Sequence, residues 1–212
     1  MVWFSLGFGA IALVFVSLLC FSLHSHFEPP REAAREIFSV TAMKAKLGEE
    51  AKQLDEMPPL LVEAFVAVQE PRFYEYQGGT DWVGVYRSFC HRYGRPNAIG
   101  LGLAHWIMID HSSRPGLHRQ AFIRQFIAAE IEKSLSKEEI LFYALNARRF
   151  GEFTRGAVAG SKLHYGKSLD KLNEDELISL ALITLNPEHR KPPFPQVLLD
   201  STRERALEIR NR

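Results

Sequence analysis

The chain has 212 residues, enough for one domain with a sizeable core or two small lobes, and 26 Lys plus Arg against 25 Asp plus Glu leave a formal net charge of +1. That balance excludes a general nucleic-acid binder, whose phosphate contacts need a basic excess. Of the two cysteines, Cys20 lies inside the first apolar run and leaves Cys90 without a partner in the rest of the chain, so no disulfide framework is readable, and no C-x-x-C, H-E-x-x-H or Walker pattern is present.

The run from Val2 to Leu23 carries no charged residue. It is long enough for a helix to cross a hydrocarbon core of roughly 30 Å. No basic residue precedes it and "SLHSHFEPP" offers no A-x-A-like cleavage site, so an uncleaved anchor is expected over residues 1–23 rather than a signal peptide. Residues 24–57 read as a juxtamembrane linker followed by a weakly periodic helix, and residues 58–212 as the main domain. A helix is expected from Leu60 to Val68, ended at Glu70 because Pro71 disfavours helical geometry there. After Gly78-Gly79 a helix begins, with Thr80 or Asp81 as cap. "GRPNAIGLG" reads as a loop and "LAHWIMI" as a short apolar segment. A helix follows over 117–135, with Phe122, Ile123, Phe126, Ile127 and Ile131 on one face. Ser136 and Glu139 form a capping box for the next helix. Helices near 156–164 and 174–185, the second capped by Asn173, lead through the proline-rich "NPEHRKPPFP" to a final charged helix. Hardly any stretch alternates with period two, so the fold class is mainly α.

Four blocks, in order, resemble one family. "QEPRFYEYQGGTD" is similar to E-D-x-x-F-Y-x-H-x-G-x-D, and "WVGVYRSF" to the helix after it. "SLSKEEILFYALNARRFG" closely resembles S-K-x-E-I-L-x-x-Y-L-N-x-x-Y-F-G. "GAVAGSKLHYGKSLDKLNEDELISLA" resembles G-I-E-x-A-A-x-x-Y-F-G-K…L…E-x-A-x-L-A. The family is the bacterial peptidoglycan glycosyltransferases, glycosyltransferase family 51. The resemblance implies a bilobed, mostly helical, partly lysozyme-like domain behind one transmembrane helix, on the extracytoplasmic side of the bacterial cytoplasmic (inner) membrane. It also implies polymerisation of lipid II, a lipid-linked disaccharide. A carboxylate takes the proton from the acceptor hydroxyl, and cationic groups or a divalent metal (Mg or Mn) stabilise the lipid diphosphate leaving group.

Several positions that this chemistry needs are altered. Counted back from Phe73, the family's catalytic glutamate falls on Gln69, whose neutral amide is no base; counted back from Asp81, it falls on Glu70. The two registers differ by one residue, roughly 100° around a helix. The polar segment G-G-S-T-I-T-Q-Q becomes "GLGLAHWI", residues 100–107, with Leu103, Ala104, Trp106 and Ile107 where hydroxyls and amides would bind sugar, so this stretch reads as core. Burying a polar substrate group against it would cost about 1–3 kcal/mol. In the R-K-x-x-E element the glutamate falls on Arg124, the arginine on Gln120 and the lysine on Ala121. The G-I-E glutamate is Val158, and the tyrosine of the P-x-x-Y-x-P loop is Arg190.

The candidate substrate-binding cations are Arg72, Arg87, Arg119, Arg124, Lys137 and Lys167; for Arg119, Arg124, Lys137 and Lys167 a solvated surface position is the plainer reading. His105, His111, His118 and His164 lack ligand spacing, so no metal ligand is assigned. The leading expectation is a membrane-anchored pseudoenzyme of cell-wall synthesis. It would bind a partner protein of that machinery or a lipid-linked saccharide, and expose an apolar patch near Trp106 or Phe194. The alternative is an active, divergent polymerase with Glu70 as base, helped by Arg72, Arg87 and Lys137. Glycan hydrolysis has only Glu70, Glu75 and Asp81 to draw on and is set aside.

Overall fold

The computed structural model describes residues 31–47, 50–75, 98–109 and 117–211, without the side chains of 117–119. The expected anchor at 2–23, the helix after Gly78-Gly79 and the side chains of the candidate cations Arg87 and Arg119 lie outside this description. Among the described residues the structure is helical, with no strand and a single isolated antiparallel bridge, Arg149 to Arg155. No helix among them is long and apolar enough to cross a membrane.

Residues 31–37 are helical, and α1 (Val40–Lys46) follows, its first turn closed by Ser39, whose hydroxyl accepts from Ala42 N–H at 3.4 Å. Helix α2 (Pro59–Gln69) starts on a proline, which suits the first helical position, and stops at Glu70 before Pro71. Then come α3 (Ala98–Met108), α4 (Leu117–Ser134), α5 (Lys137–Ala147), α6 (Ala157–Tyr165), α7 (Glu174–Ile183) and α8 (Gln196–Arg210). Two reciprocal capping boxes set the starts of α5 and α7. Ser136 Oγ accepts from Glu139 N–H while Glu139 accepts from Ser136 N–H, and Asn173 and Glu176 repeat the exchange.

Helix α2 is apolar nearly all round, which makes it an interior helix. Leu61, Ala64, Phe65, Val66 and Ala67 are buried, and α7 and α8 pack against it. A second group forms where α3 lies against α4 and α5. The two groups share one core, which also takes in Ala34, Met43 and Met57 from the N-terminal segment. Asn146 holds that segment in place: its amide accepts from Lys52 N–H at 3.0 Å and donates to Lys52 C=O at 3.0 Å and Phe142 C=O at 2.8 Å.

Two expectations need correction. Residues 98–102 are not loop but the first turn of α3, because a carboxylate from elsewhere in the chain receives its N-terminus. Trp106 is only 5 % exposed, so its own ring adds almost nothing to a surface patch among the described residues. Phe194 is packed against the core, and among the large apolar side chains Phe153, at 91 %, is far more exposed.

Candidate functional site

The carboxylate that receives α3 is Glu70. Its Oε2 accepts from Ile99 N–H at 3.2 Å, and the residue is 6 % exposed. A helix N-terminus presents unpaired N–H groups and partial positive charge, so an anion there is well placed. Gln69, one residue earlier, faces elsewhere. Its Oε1 accepts from Arg148 Nη2 at 2.8 Å, and its Nε2 donates to Thr184 Oγ1 at 2.7 Å. Arg148 also donates to the Thr184 carbonyl, from Nη2 at 3.1 Å and Nε at 3.4 Å. Thr184 Oγ1 in turn donates to Ala181 C=O at 2.6 Å. The ends of α2, α5 and α7 thus meet in one polar knot whose acceptors are all neutral.

Beside the knot is a cavity of about 240 Å³, walled by Phe65, Ile99, Leu103, Trp106 and Leu185, with Arg148, Arg149, Arg155 and His105 supplying its charged and polar groups. No Asp or Glu stands among its described lining residues. Gly102 lets Arg148 lie against α3, since a Cβ there would be 2.6 Å from Nη1. The short loop after α5 brings two further arginines in. Phe150 N–H bonds Thr154 C=O and Gly156 N–H bonds Arg148 C=O, both at 2.9 Å, so that Arg149 and Arg155 oppose each other in the isolated bridge. Gly156 closes this loop at φ 86°, in the left-handed region that side-chain-bearing residues avoid.

Burial pushes the Arg148 guanidinium below its ordinary value, though arginine stays charged at any ordinary pH. His105 is also pushed down, first by burial and then by the positive charges of Arg124, Arg155, Arg149 and Arg148. A positive field without lining carboxylates is a poor host for a divalent cation. The cavity therefore does not fit Mg or Mn. No group of three or more His, Cys, Asp or Glu among the described residues is placed to hold a metal ion.

The cations singled out from the sequence stand elsewhere. Arg72 is on the surface, bonded to Glu75 at 2.6 Å. Lys137 is tied to Glu132 at 2.7 Å and sits 4.4 Å over the Phe73 ring. Lys167 bonds Glu176 at 2.6 Å. Arg124 is half-buried on α4, near enough to His105 to act on its charge. None of these lines the cavity. The arginines that do, 148, 149 and 155, were not selected from the sequence. The signal was present at Arg149, which occupies the tyrosine position of the N-x-x-Y-F-G block.

The family model described as Transglycosylase matches residues 35–211. Penicillin-binding protein 1A of Escherichia coli is 30 % identical over 144 residues, covering 66 % of this chain and 17 % of that protein. Penicillin-binding protein 1A of Haemophilus influenzae is 28 % identical over 196 residues, 87 % of this chain and 22 % of its own. Penicillin-binding protein 1F of Bacillus subtilis is 30 % identical over 152 residues, 68 % of this chain and 20 % of its own. The chain thus spans about a fifth of the length of these relatives. With the family model aligned from the N-terminal helical residues to the end of α8, the chain belongs to the transglycosylase family.

Proposed function

We propose that this protein is a transglycosylase-family member of peptidoglycan synthesis that has lost catalysis and kept the frame, a pseudoenzyme. It binds a lipid-linked saccharide or a protein of the cell-wall machinery. Residues 1–23 anchor it in the cytoplasmic membrane, residues 24–57 run from the anchor into the shared core, and the bilobed, partly lysozyme-like domain of 58–212 lies outside. The carrying observation is the state of residues 69 and 70. Gln69 is neutral and held by Arg148 and Thr184, while Glu70 is buried with its carboxylate on the N-terminus of α3. A general base has to come within about 3 Å of the hydroxyl that it deprotonates. One amide and one buried capping carboxylate supply no such group at the open cavity.

One observation favours a second reading. Ile99, whose N–H Glu70 accepts, is itself a wall of the cavity, so a modest shift of α3 would bring the carboxylate to it. In that case the protein is an active polymerase with Glu70 as base. Lipid II polymerisation by the detergent-solubilised full-length protein, with Mg or Mn present and a Glu70→Gln variant beside it, separates the two. No glycan chains from a cooperatively melting wild type is the expected result. Chains from the wild type and none from Glu70→Gln would replace the pseudoenzyme reading with the enzyme one.

A further inference from the structure

We propose that the cavity between α3 and the loop after α5 is a binding site for an oxyanion, a phosphate or a carboxylate, carried on an apolar body. Arg148, Arg149 and Arg155 receive the head group, and Trp106, Leu103 and Leu185 pack against the body.

Three observations carry this. First, Arg148 brings a full positive charge into a half-buried position where, among the described residues, its partners are the neutral Gln69 and Thr184. A buried cation without a counter-ion is costly, and an anion from outside recovers part of that cost. Second, Arg149 and Arg155 are placed opposite each other across an antiparallel bridge. The bridge brings both side chains to the cavity wall. Arg149 has Glu188 as a surface partner at 3.0 Å, but that carboxylate is not part of the cavity wall. Third, the remaining wall is largely apolar, with no described acidic residue to repel an anion. Two or three guanidinium forks over a hydrophobic floor suit a planar or tetrahedral oxyanion far better than a cation or a neutral sugar. Arg149 stands where the family block has tyrosine, Arg148 at a position that block leaves unspecified, and Arg155 between two blocks, so the cluster is this chain's own. The inference therefore rests on the cavity itself and not on whether the protein catalyses anything.

The test is isothermal titration of the detergent-solubilised full-length protein with phenyl phosphate and benzoate, against inorganic phosphate and the neutral benzyl alcohol. Phenyl phosphate or benzoate is expected to bind at least tenfold more tightly than inorganic phosphate, with no heat from benzyl alcohol. The tighter of the two names the head group. An Arg149→Gln/Arg155→Gln double variant, changed only at the loop rim, is expected to lose tenfold or more. Gln69→Glu should lose as much, because it pairs Arg148 from within and removes no arginine. Cooperative melting of both variants at wild-type temperature shows that any loss is local. No binding of either aromatic anion sinks the site, and so does binding that both variants leave unchanged. Equal affinity for inorganic phosphate removes the apolar half of the proposal. Heat is read whether or not glycan is made, so failure here leaves the reading of catalysis untouched.

Discussion

Asn146 shows how a side chain can stand in for a strand. By accepting from and donating to the backbone of the same residue, Lys52, it makes the paired contact that a neighbouring strand would make, across 94 positions of sequence. Asn146→Ala leaves a backbone donor and acceptor of residue 52 unsatisfied at a site only 9 % exposed. Each such group costs about 1–3 kcal/mol. A loss of about 2–4 kcal/mol in urea unfolding is expected, while a loss below about 0.5 kcal/mol would show that water replaces the amide freely. At this scale the sequence was only partly legible. The match of Asn146 to a family block was visible, but its partner was not, because nothing in "AKQLD" marks Lys52. The arginine cluster was hidden for the same reason. Arg148, Arg149 and Arg155 read singly as solvated charges, and only the loop closed by Gly156 gathers them around one cavity.

Helix boundaries divide according to where their caps lie. The starts of α5 and α7 were readable because Ser136, Glu139, Asn173 and Glu176 supply local capping boxes. The start of α3 was not readable, because its anion comes from Glu70, 29 residues away. That arrangement gives Glu70 a structural load at α3 whatever its chemistry. Glu70→Ala is expected to destabilise by about 1–2 kcal/mol, in the range of a lost helix cap. Glu70→Gln, which retains an acceptor oxygen, is expected to cost less, and thermal melting of the two side by side checks the order. Helix α6 depends on a different feature. A Cβ at Gly160 would meet the ring of the fully buried Phe150 at 2.6–2.8 Å. Gly160→Ala should therefore overpack the α6 face and cost about 1–3 kcal/mol. A neutral result in chemical denaturation would mean that the Phe150 ring has room to move.

For the molecule as a whole, His105 links stability to pH. Its folded pKa lies below the ordinary value of about 6.5, through burial and four arginines. As pH falls below about 6.5, the unfolded chain takes up a proton that the folded chain resists, so stability is full above that pH and is lost as pH falls toward the folded pKa. His105→Asn should flatten part of the fall in melting temperature between pH 7 and pH 5 relative to the wild type. Superimposable profiles would remove His105 as a contributor. A bound anion would soften the same field, so occupancy of the cavity and uptake of a proton at His105 should favour each other.

The pairing of Asn146 with Lys52 also bears on where the polypeptide can be shortened. Cutting the chain before Pro58 removes Lys52 together with Ala34, Met43 and Met57, and leaves the Asn146 amide with only Phe142 of its present acceptors. Protease nicking within residues 50–57 is therefore predicted to loosen the distant end of α5, and with it Arg148. Deuterium uptake at residues 144–148 should rise in a 58–212 fragment while the amides of α7 keep their protection.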